Sequence, residues 1–69
     1  MHKLLVTRTL STGLPVEKVD KLADEAGVTA NHVETRFAGR GKWINDFEII
    51  GAPGKVDGFF ERVNEIRRD

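Results

Sequence analysis

The sequence predicts a small α+β domain in which two helices cover one face of a three-stranded antiparallel sheet, in the order β-α-β-β-α. Three observations predict this class. Residues 3–10 are rich in Leu, Val and Thr, residues 32–37 alternate polar and apolar side chains before GRG at 39–41, and apolar residues recur at helical spacing in 16–26 and 56–66. The 69 residues leave room for one domain, 1–69.

The first strand is predicted over residues 3–10, and the first helix follows it. The strand stops at the turn signal Ser11-Thr12-Gly13. Pro15 suits a first helical turn, and Gly27 suits a C-terminal cap. One face of this helix is apolar and is expected to be buried; it carries Val16, Val19, Leu22, Ala23 and Ala26.

A β-hairpin is predicted from residue 31 to residue 49. GRG is expected to form a three-residue tip with Gly41 left-handed, because glycine accepts positive φ without steric cost. The resulting register pairs Phe37 with Trp43, Thr35 with Asn45, Val33 with Phe47 and Asn31 with Ile49. Asn45, polar on this mainly apolar face, is a candidate for a bulge. The opposite face is charged apart from Ile44; it carries Glu34, Arg36, Lys42, Asp46 and Glu48.

The segment GAPG at 51–54 ends the hairpin and precedes the last helix. Apolar residues then recur at helical spacing, up to a basic last turn at Arg67 and Arg68. The side chains expected to be largely buried in the core are Trp43, Phe47, Phe59, Phe60 and Val63.

Composition argues against several classes of protein. The chain has no cysteine, so neither disulfides nor thiolate zinc sites are available, and the simplest compartment is the cytoplasm. Eleven basic and eleven acidic residues cancel, which weighs against a global attraction to nucleic acid. No apolar run approaches the ~18 residues of a membrane span. We therefore expect a soluble cytoplasmic protein that binds no membrane and no cofactor or metal.

No pattern in the sequence indicates catalysis. His32 stands beside Glu34, but no serine or cysteine nucleophile and no third orienting group is near them in sequence. GRGK at 39–42 lacks the GxxxxGK[ST] spacing of a phosphate-binding loop. The aromatic residues fall mostly on predicted inner faces, which disfavours base stacking on an open sheet. The chain is expected not to be an enzyme.

The order β-α-β-β-α corresponds to a split β-α-β ferredoxin-like fold without its usual last strand. Here the chain resembles regulatory modules of the ACT and Lrp/AsnC effector-domain type, through LLVT, the following turn and helix, LADEAGV leading into a strand, and GKWINDFEII before VDGFFERVNEI. The resemblance implies side-by-side pairing and a small effector at the loop after the first strand, here Ser11, Thr12, Gly13 and Leu14. The chain departs from the pattern in lacking the last strand and the loop's acidic residue and Pro-Gly step.

The segment LADEAGVT at 22–29 also resembles the turn of helix-turn-helix repressors of the TetR and LacI kind. The matching residues are Leu22, Ala23, Ala26, Gly27, Val28, Thr29 and Val33. This alternative predicts a recognition helix over residues 29–37 in a helix-turn-helix or winged-helix DNA-binding regulator. Its expected DNA-binding residues are Thr29, Asn31, His32, Arg36 and Arg40. Against it, Arg36 stands where an apolar residue is usual, and no earlier helix completes a three-helix core.

The preferred hypothesis is a non-enzymatic interaction or regulatory module. The missing last strand leaves the first strand at an edge, and an unpaired edge strand invites pairing. The expected partner is a second copy, forming a homodimer, or another protein, bound through this edge and the charged sheet face. The predicted edge residues are Lys3, Leu5, Thr7 and Thr9, while Leu4, Val6 and Leu10 are expected to face the helices. Whether residues 29–37 form a strand or a helix separates this hypothesis from the DNA-binding alternative.

Overall fold

The computed structural model describes residues 4–66, which form three strands and two helices. They are β1 (Val6–Thr12), α1 (Val16–Ala26), β2 (Thr29–Gly39), β3 (Lys42–Gly51) and α2 (Pro53–Ile66). The predicted order β-α-β-β-α and the α+β class are confirmed. Because residues 29–39 form a strand, the recognition helix predicted under the DNA-binding alternative is wrong.

The sheet has the order β1-β3-β2, with both strand pairs antiparallel. Strands β2 and β3 form a long hairpin, and β1 pairs with the other side of β3, so β3 is the central strand. This is the order of a ferredoxin-like sheet without its last strand, in which β1 and β2 are the two edges.

A single core lies between the two helices and one face of the sheet. The sheet contributes Leu10 from β1 and both Phe47 and Ile49 from β3. The helices contribute Val19, Leu22 and Ala23 from α1 and Val56, Phe59 and Val63 from α2. The predicted burial of Phe47, Phe59 and Val63 is confirmed, and the predicted apolar face of α1 packs on the sheet, with Val16 and Ala26 partly buried.

Helix α1 begins and ends as its sequence predicts. The carbonyl of Pro15 accepts hydrogen bonds from the amides of Lys18 and Val19, each 3.1 Å long. Gly27 ends the helix with φ of 75°, the left-handed conformation that glycine adopts at low cost. Val28 follows and packs directly against the backbone of Gly51 at the end of β3.

The hairpin turn is shorter than predicted. Gly39 pairs with Lys42, so the loop has two residues, Arg40 and Gly41, with φ of 54° and 75°. Two consecutive positive φ angles are the feature of a type I′ turn, whose twist matches that of the two strands that it joins. The three-residue tip is therefore wrong, although the left-handed Gly41 is confirmed.

The register of the hairpin is correct near the tip and wrong beyond it. The pairs Phe37–Trp43 and Thr35–Asn45 are confirmed, but Val33 is an extra residue between the pairs that flank it. Asn45, the candidate position, is regularly paired, so the bulge lies on β2 instead. It shifts the remaining pairs by one residue, so that the predicted pairs Val33–Phe47 and Asn31–Ile49 do not form. The shift places Ala30 opposite buried Ile49 and Asn31 opposite exposed Glu48, which spares an amide from burial.

The predicted burial of Trp43 is also wrong, because the hairpin extends past the rest of the sheet. The last residue of β1, Thr12, pairs with Asn45, and Trp43 lies two residues further toward the tip. Its side chain is 58% exposed. Phe60, predicted to be largely buried, is only partly so. The projecting hairpin contributes to an elongated shape, with extents of 48 × 24 × 16 Å.

Candidate protein interface

The first feature of the candidate interface is the free edge of β1. Among the described residues, no strand pairs with the side of β1 that faces away from β3. All seven residues of β1 pair with β3 in an unbroken register, from Val6 opposite Gly51 to Thr12 opposite Asn45. The strand contains no proline and one charged residue, Arg8. It therefore lacks most of the features that protect edge strands from pairing with other chains.

The opposite edge, on β2, is protected. Extra residues interrupt its pairing with β3 at Val33 and again at Ala38. Charged Glu34 and Arg36 lie between these two irregularities. Bulges and charges both discourage pairing along a strand edge. The two edges thus differ, and β1 is the one on which a further strand can form a regular ladder.

The one charge of β1 is held against α2. The Nη1 atom of Arg8 lies 3.2 Å from Oδ1 of Asp57, and the guanidinium carbon lies 4.1 Å from the centre of the Phe60 ring. A guanidinium over an aromatic face is attracted by the ring quadrupole. These contacts draw the charge toward the helix side of the sheet. They also explain how Phe60 is covered without entering the core.

The open face of the sheet carries an ionic cluster of three residues, which link all three strands. Arg36 donates two hydrogen bonds to the carboxylate of Asp46, 2.7 and 3.0 Å long, and the Ser11 hydroxyl donates a third, 2.6 Å long. The Arg36 and Ser11 hydrogen bonds lower the pKa of Asp46 to about 2. Hydrogen bonding to Asp46 raises the pKa of Arg36 in turn. The predicted charged face is confirmed. On this face the cluster joins both edge strands, β1 and β2, to the central strand β3.

The predicted edge residues that the structure describes are exposed. Thr7 and Thr9 lie on the open face of β1, and Leu5 immediately precedes the strand with 60% of its surface exposed. Lys3 lies outside the described residues. Val6 and Leu10 face the helices as predicted, whereas Leu4 is 70% exposed.

The four residues proposed for effector binding lie together but are not all in a loop. Ser11 and Thr12 are the last residues of β1, so the connection to α1 is shorter than predicted. The buried Thr12 hydroxyl accepts a hydrogen bond from the amide of Leu14, 3.2 Å long. The carbonyl of Leu14 accepts one from Nδ2 of Asn45, 2.8 Å long. These polar groups are thus engaged in holding the connection against the hairpin.

That contact continues as a polar chain along the hairpin. Thr35 donates to Oδ1 of Asn45 over 2.7 Å, and Nε2 of His32 lies 2.8 Å from the Thr35 hydroxyl. The His32 ring also packs on Phe47, with centroids 5.2 Å apart. His32 therefore faces the helix side and has a structural role here. The polar exception that the sequence showed at Asn45 is explained, because its amide bridges the hairpin and the β1–α1 connection.

Sequence reasoning missed an exposed aromatic pair. The rings of Phe37 and Trp43 meet edge to face with centroids 5.1 Å apart, and each side chain is 58% exposed. Their position on the helix-facing side of the sheet was correctly predicted, but the helices do not reach them. The sequence carried no local signal for this exposure, because it depends on where β1 ends along β3, at the pair of Thr12 and Asn45.

The residues proposed for DNA recognition do not share one surface. Thr29, Asn31, His32 and Arg36 lie on β2, and Arg40 lies in the turn. His32 packs on the helix side against Phe47, whereas Arg36 is on the open face bound to Asp46. A strand with alternating side chains separates residues that a recognition helix would bring together.

No protein family model matches this chain, and no curated protein or solved structure is significantly similar to it. Within residues 4–66 no helix is long and apolar enough to cross a membrane, and no group of three or more His, Cys, Asp or Glu side chains is arranged to hold a metal ion. The proposed function therefore rests on the fold and on the two edges of its sheet.

Proposed function

We propose that this chain is a non-enzymatic interaction module that binds a protein partner through the free edge of β1. The observation that carries the proposal is the difference between the two sheet edges. The β1 edge has seven residues in regular register, whereas the β2 edge is interrupted at Val33 and Ala38. An added strand can satisfy the free backbone groups of β1 along its whole length.

The side chains beside this edge suit recognition of another chain. Thr7, Thr9 and Ser11 present small hydroxyl groups on the open face, which do not block an approaching strand. The neighbouring ionic cluster of Arg36, Asp46 and Ser11, with exposed Glu48, adds charges that select between partners. Backbone pairing then supplies affinity, and these side chains supply specificity.

A regulatory role in the cytoplasm belongs to the same proposal. The order of the elements supports the likeness to ACT and Lrp/AsnC effector modules, and the absence of cysteine supports a reducing compartment. Effector binding at residues 11–14 receives no added support, because the polar groups of Thr12 and Leu14 already bond within the chain.

The test is a pair of proline variants, one on each edge. Thr7→Pro removes a backbone donor from β1 and is expected to abolish association with the partner if the Thr7 amide bonds across the interface, because proline cannot donate to a strand ladder. Val33→Pro is the matched control on the β2 edge, at a residue that has no partner in the ladder. Circular dichroism establishes that both variants are folded.

Association is measured by sedimentation equilibrium of the wild type and by pull-down with the same three proteins as bait. The proposal predicts that the wild type either associates with itself or retains a partner protein. Thr7→Pro should lose this association, and Val33→Pro should keep it. The proposal would be contradicted if the wild type were monomeric at high concentration and if every protein that it retained were also retained by Thr7→Pro. Tight, salt-sensitive binding of duplex DNA would instead favour the DNA-binding class.

A further inference from the structure

Two exposed apolar sites lie at opposite ends of the molecule. One is the aromatic pair of Phe37 and Trp43 near the hairpin tip, and the other is Leu4 and Leu5 just before β1. Within one chain they cannot meet. Val6 pairs with Gly51, and Trp43 lies eight residue steps along β3 from Gly51, a distance of about 26 Å, with Leu4 further away still.

We propose that the partner at the β1 edge is a second copy of this chain, paired antiparallel about Thr9, and that Leu4 of each copy packs on Trp43 of the other. This inference rests on the proposed function and names the partner of the same edge. The dimer has a two-fold axis perpendicular to the sheet, which keeps the helices of both copies on one face of a continuous six-stranded sheet.

The register about Thr9 is favoured by the side chains that it brings together. On the open face Thr9 lies opposite Thr9 of the second copy, and Thr7 lies opposite Ser11, so hydroxyl groups meet hydroxyl groups. On the helix side Arg8 lies opposite Leu10. A register centred on Arg8 would instead place two like charges opposite each other, which is destabilising.

The same register carries Leu4 to the aromatic pair. It places Leu4 opposite Leu14 of the second copy, next to the point where that chain leaves its sheet. Asn45 of that copy binds the Leu14 carbonyl, and Trp43 lies two residues nearer the tip. The backbones of Leu4 and Trp43 are then about two strand spacings apart, or about 10 Å, a separation that leucine and indole side chains together can bridge.

These contacts explain why both apolar sites are exposed in one copy. A single strand pair is a narrow interface, whereas stable protein interfaces commonly bury about 800 Å² per partner. The two-fold axis repeats the leucine–tryptophan contact at both ends of the β1–β1 ladder. It thereby covers Leu4 and Trp43, two of the large apolar side chains that the monomer leaves exposed, and widens the interface beyond the strands.

The register is tested with single cysteines, which the natural chain lacks. Thr9→Cys is expected to form a disulfide-linked dimer under mild oxidation, because directly opposite residues lie within the about 7 Å that a disulfide can bridge between Cα atoms. Thr7→Cys is the control on the same face of β1. Its two copies would be four residues out of register, about 13 Å apart, and are expected to remain monomeric on a non-reducing gel.

The apolar contact is tested through fluorescence, because Trp43 is the only tryptophan and the chain has no tyrosine. In the wild type, the Trp43 emission maximum should shift to shorter wavelength as the protein concentration is raised. The shift should occur over the same concentration range in which sedimentation equilibrium detects the dimer. Leu4→Ser should remove the shift, whereas Val33→Ser, at another exposed apolar residue, on the β2 edge, should preserve it. Circular dichroism confirms that both variants fold.

Cross-linking at Thr9 together with a Leu4-dependent shift supports the dimer. A monomeric wild type overturns it. So does a dimer that cross-links through the Thr7→Cys variant, or one whose Trp43 emission is unchanged by Leu4→Ser. A foreign protein whose capture depends on Thr7, found with a monomeric chain, overturns this inference while leaving the proposed function intact.

Discussion

Gly51 illustrates how one missing Cβ atom determines a contact between two elements. A Cβ atom built at this position would lie 2.8 Å from Cγ1 of Val28 and 3.2 Å from its Cβ. Val28 is β-branched and directly follows the helix cap at Gly27, so its side chain has little freedom to move. The end of β3 can therefore approach the start of β2 closely only without a side chain there.

We expect Gly51→Ala to lower the free energy of unfolding by about 1–3 kcal/mol, because the added methyl group overpacks this contact. Gly58→Ala in α2 is the opposite case, since nothing lies within 4 Å of its added Cβ. There alanine should raise the free energy of unfolding by about 0.5–1 kcal/mol through its higher helix propensity. Urea unfolding followed by circular dichroism measures both, and equal effects of the two substitutions would refute the packing at Gly51.

Asp46 gives the open face a defined dependence on pH. Its pKa is lowered from 3.8 to about 2 by Arg36 and Ser11, so the folded state favours the carboxylate. The stabilising contribution is therefore complete above pH 3.8 and is lost as the pH falls toward 2. The melting temperature of the wild type should fall more steeply through this range than that of Asp46→Asn, which cannot titrate. Parallel melting curves for the two proteins between pH 5 and pH 2 would exclude this role.

At the scale of elements, the hairpin determines how the sheet is shaped. Its two-residue turn sets the register near the tip, and the bulge at Val33 resets it before the strands reach the core. The overhanging end is braced by Asn45, which binds the Leu14 carbonyl of the β1–α1 connection. The hairpin is thus fixed to the domain at Asn45, while Phe37 and Trp43 project beyond that point.

The turn contains a residue that is poorly suited to its conformation. Arg40 has φ of 54°, a left-handed value that asparagine tolerates better than arginine does. Arg40→Asn is expected to raise the free energy of unfolding by up to ~1 kcal/mol, because Asn-Gly is the preferred sequence of a type I′ turn. Arg40→Val should have the reverse effect, since a β-branched side chain opposes positive φ. Chemical denaturation of the two variants beside the wild type checks the sign of each change.

At the scale of the whole molecule, stability depends on a single small core. Its most deeply buried aromatic side chains are Phe47 on β3 and Phe59 on α2, each with no exposed surface. A domain of this length is expected to have a free energy of unfolding of roughly 3–10 kcal/mol. One large cavity in the core is therefore comparable with the total stability.

Phe59→Ala is expected to cost about 3–5 kcal/mol and to leave much of the protein unfolded at 37 °C. Phe60→Ala is the neighbouring control, with a smaller cost, because Phe60 is only partly buried beneath Arg8. Thermal unfolding of both variants measures the difference. If Phe59→Ala melted at the same temperature as the wild type, α2 could not pack on the sheet as the structure shows.

The order of the elements and the buried faces of both helices could be predicted from the sequence because their signals are local. Helical spacing of Val19, Leu22 and Ala23 indicates a face without reference to the rest of the chain, and glycine marks the hairpin tip. Only the tertiary structure decided the bulge at Val33, the exposure of Trp43 and the contrast between the two sheet edges. Each depends on how far the helices extend over the sheet and where β1 leaves it, which are relations between residues distant in sequence.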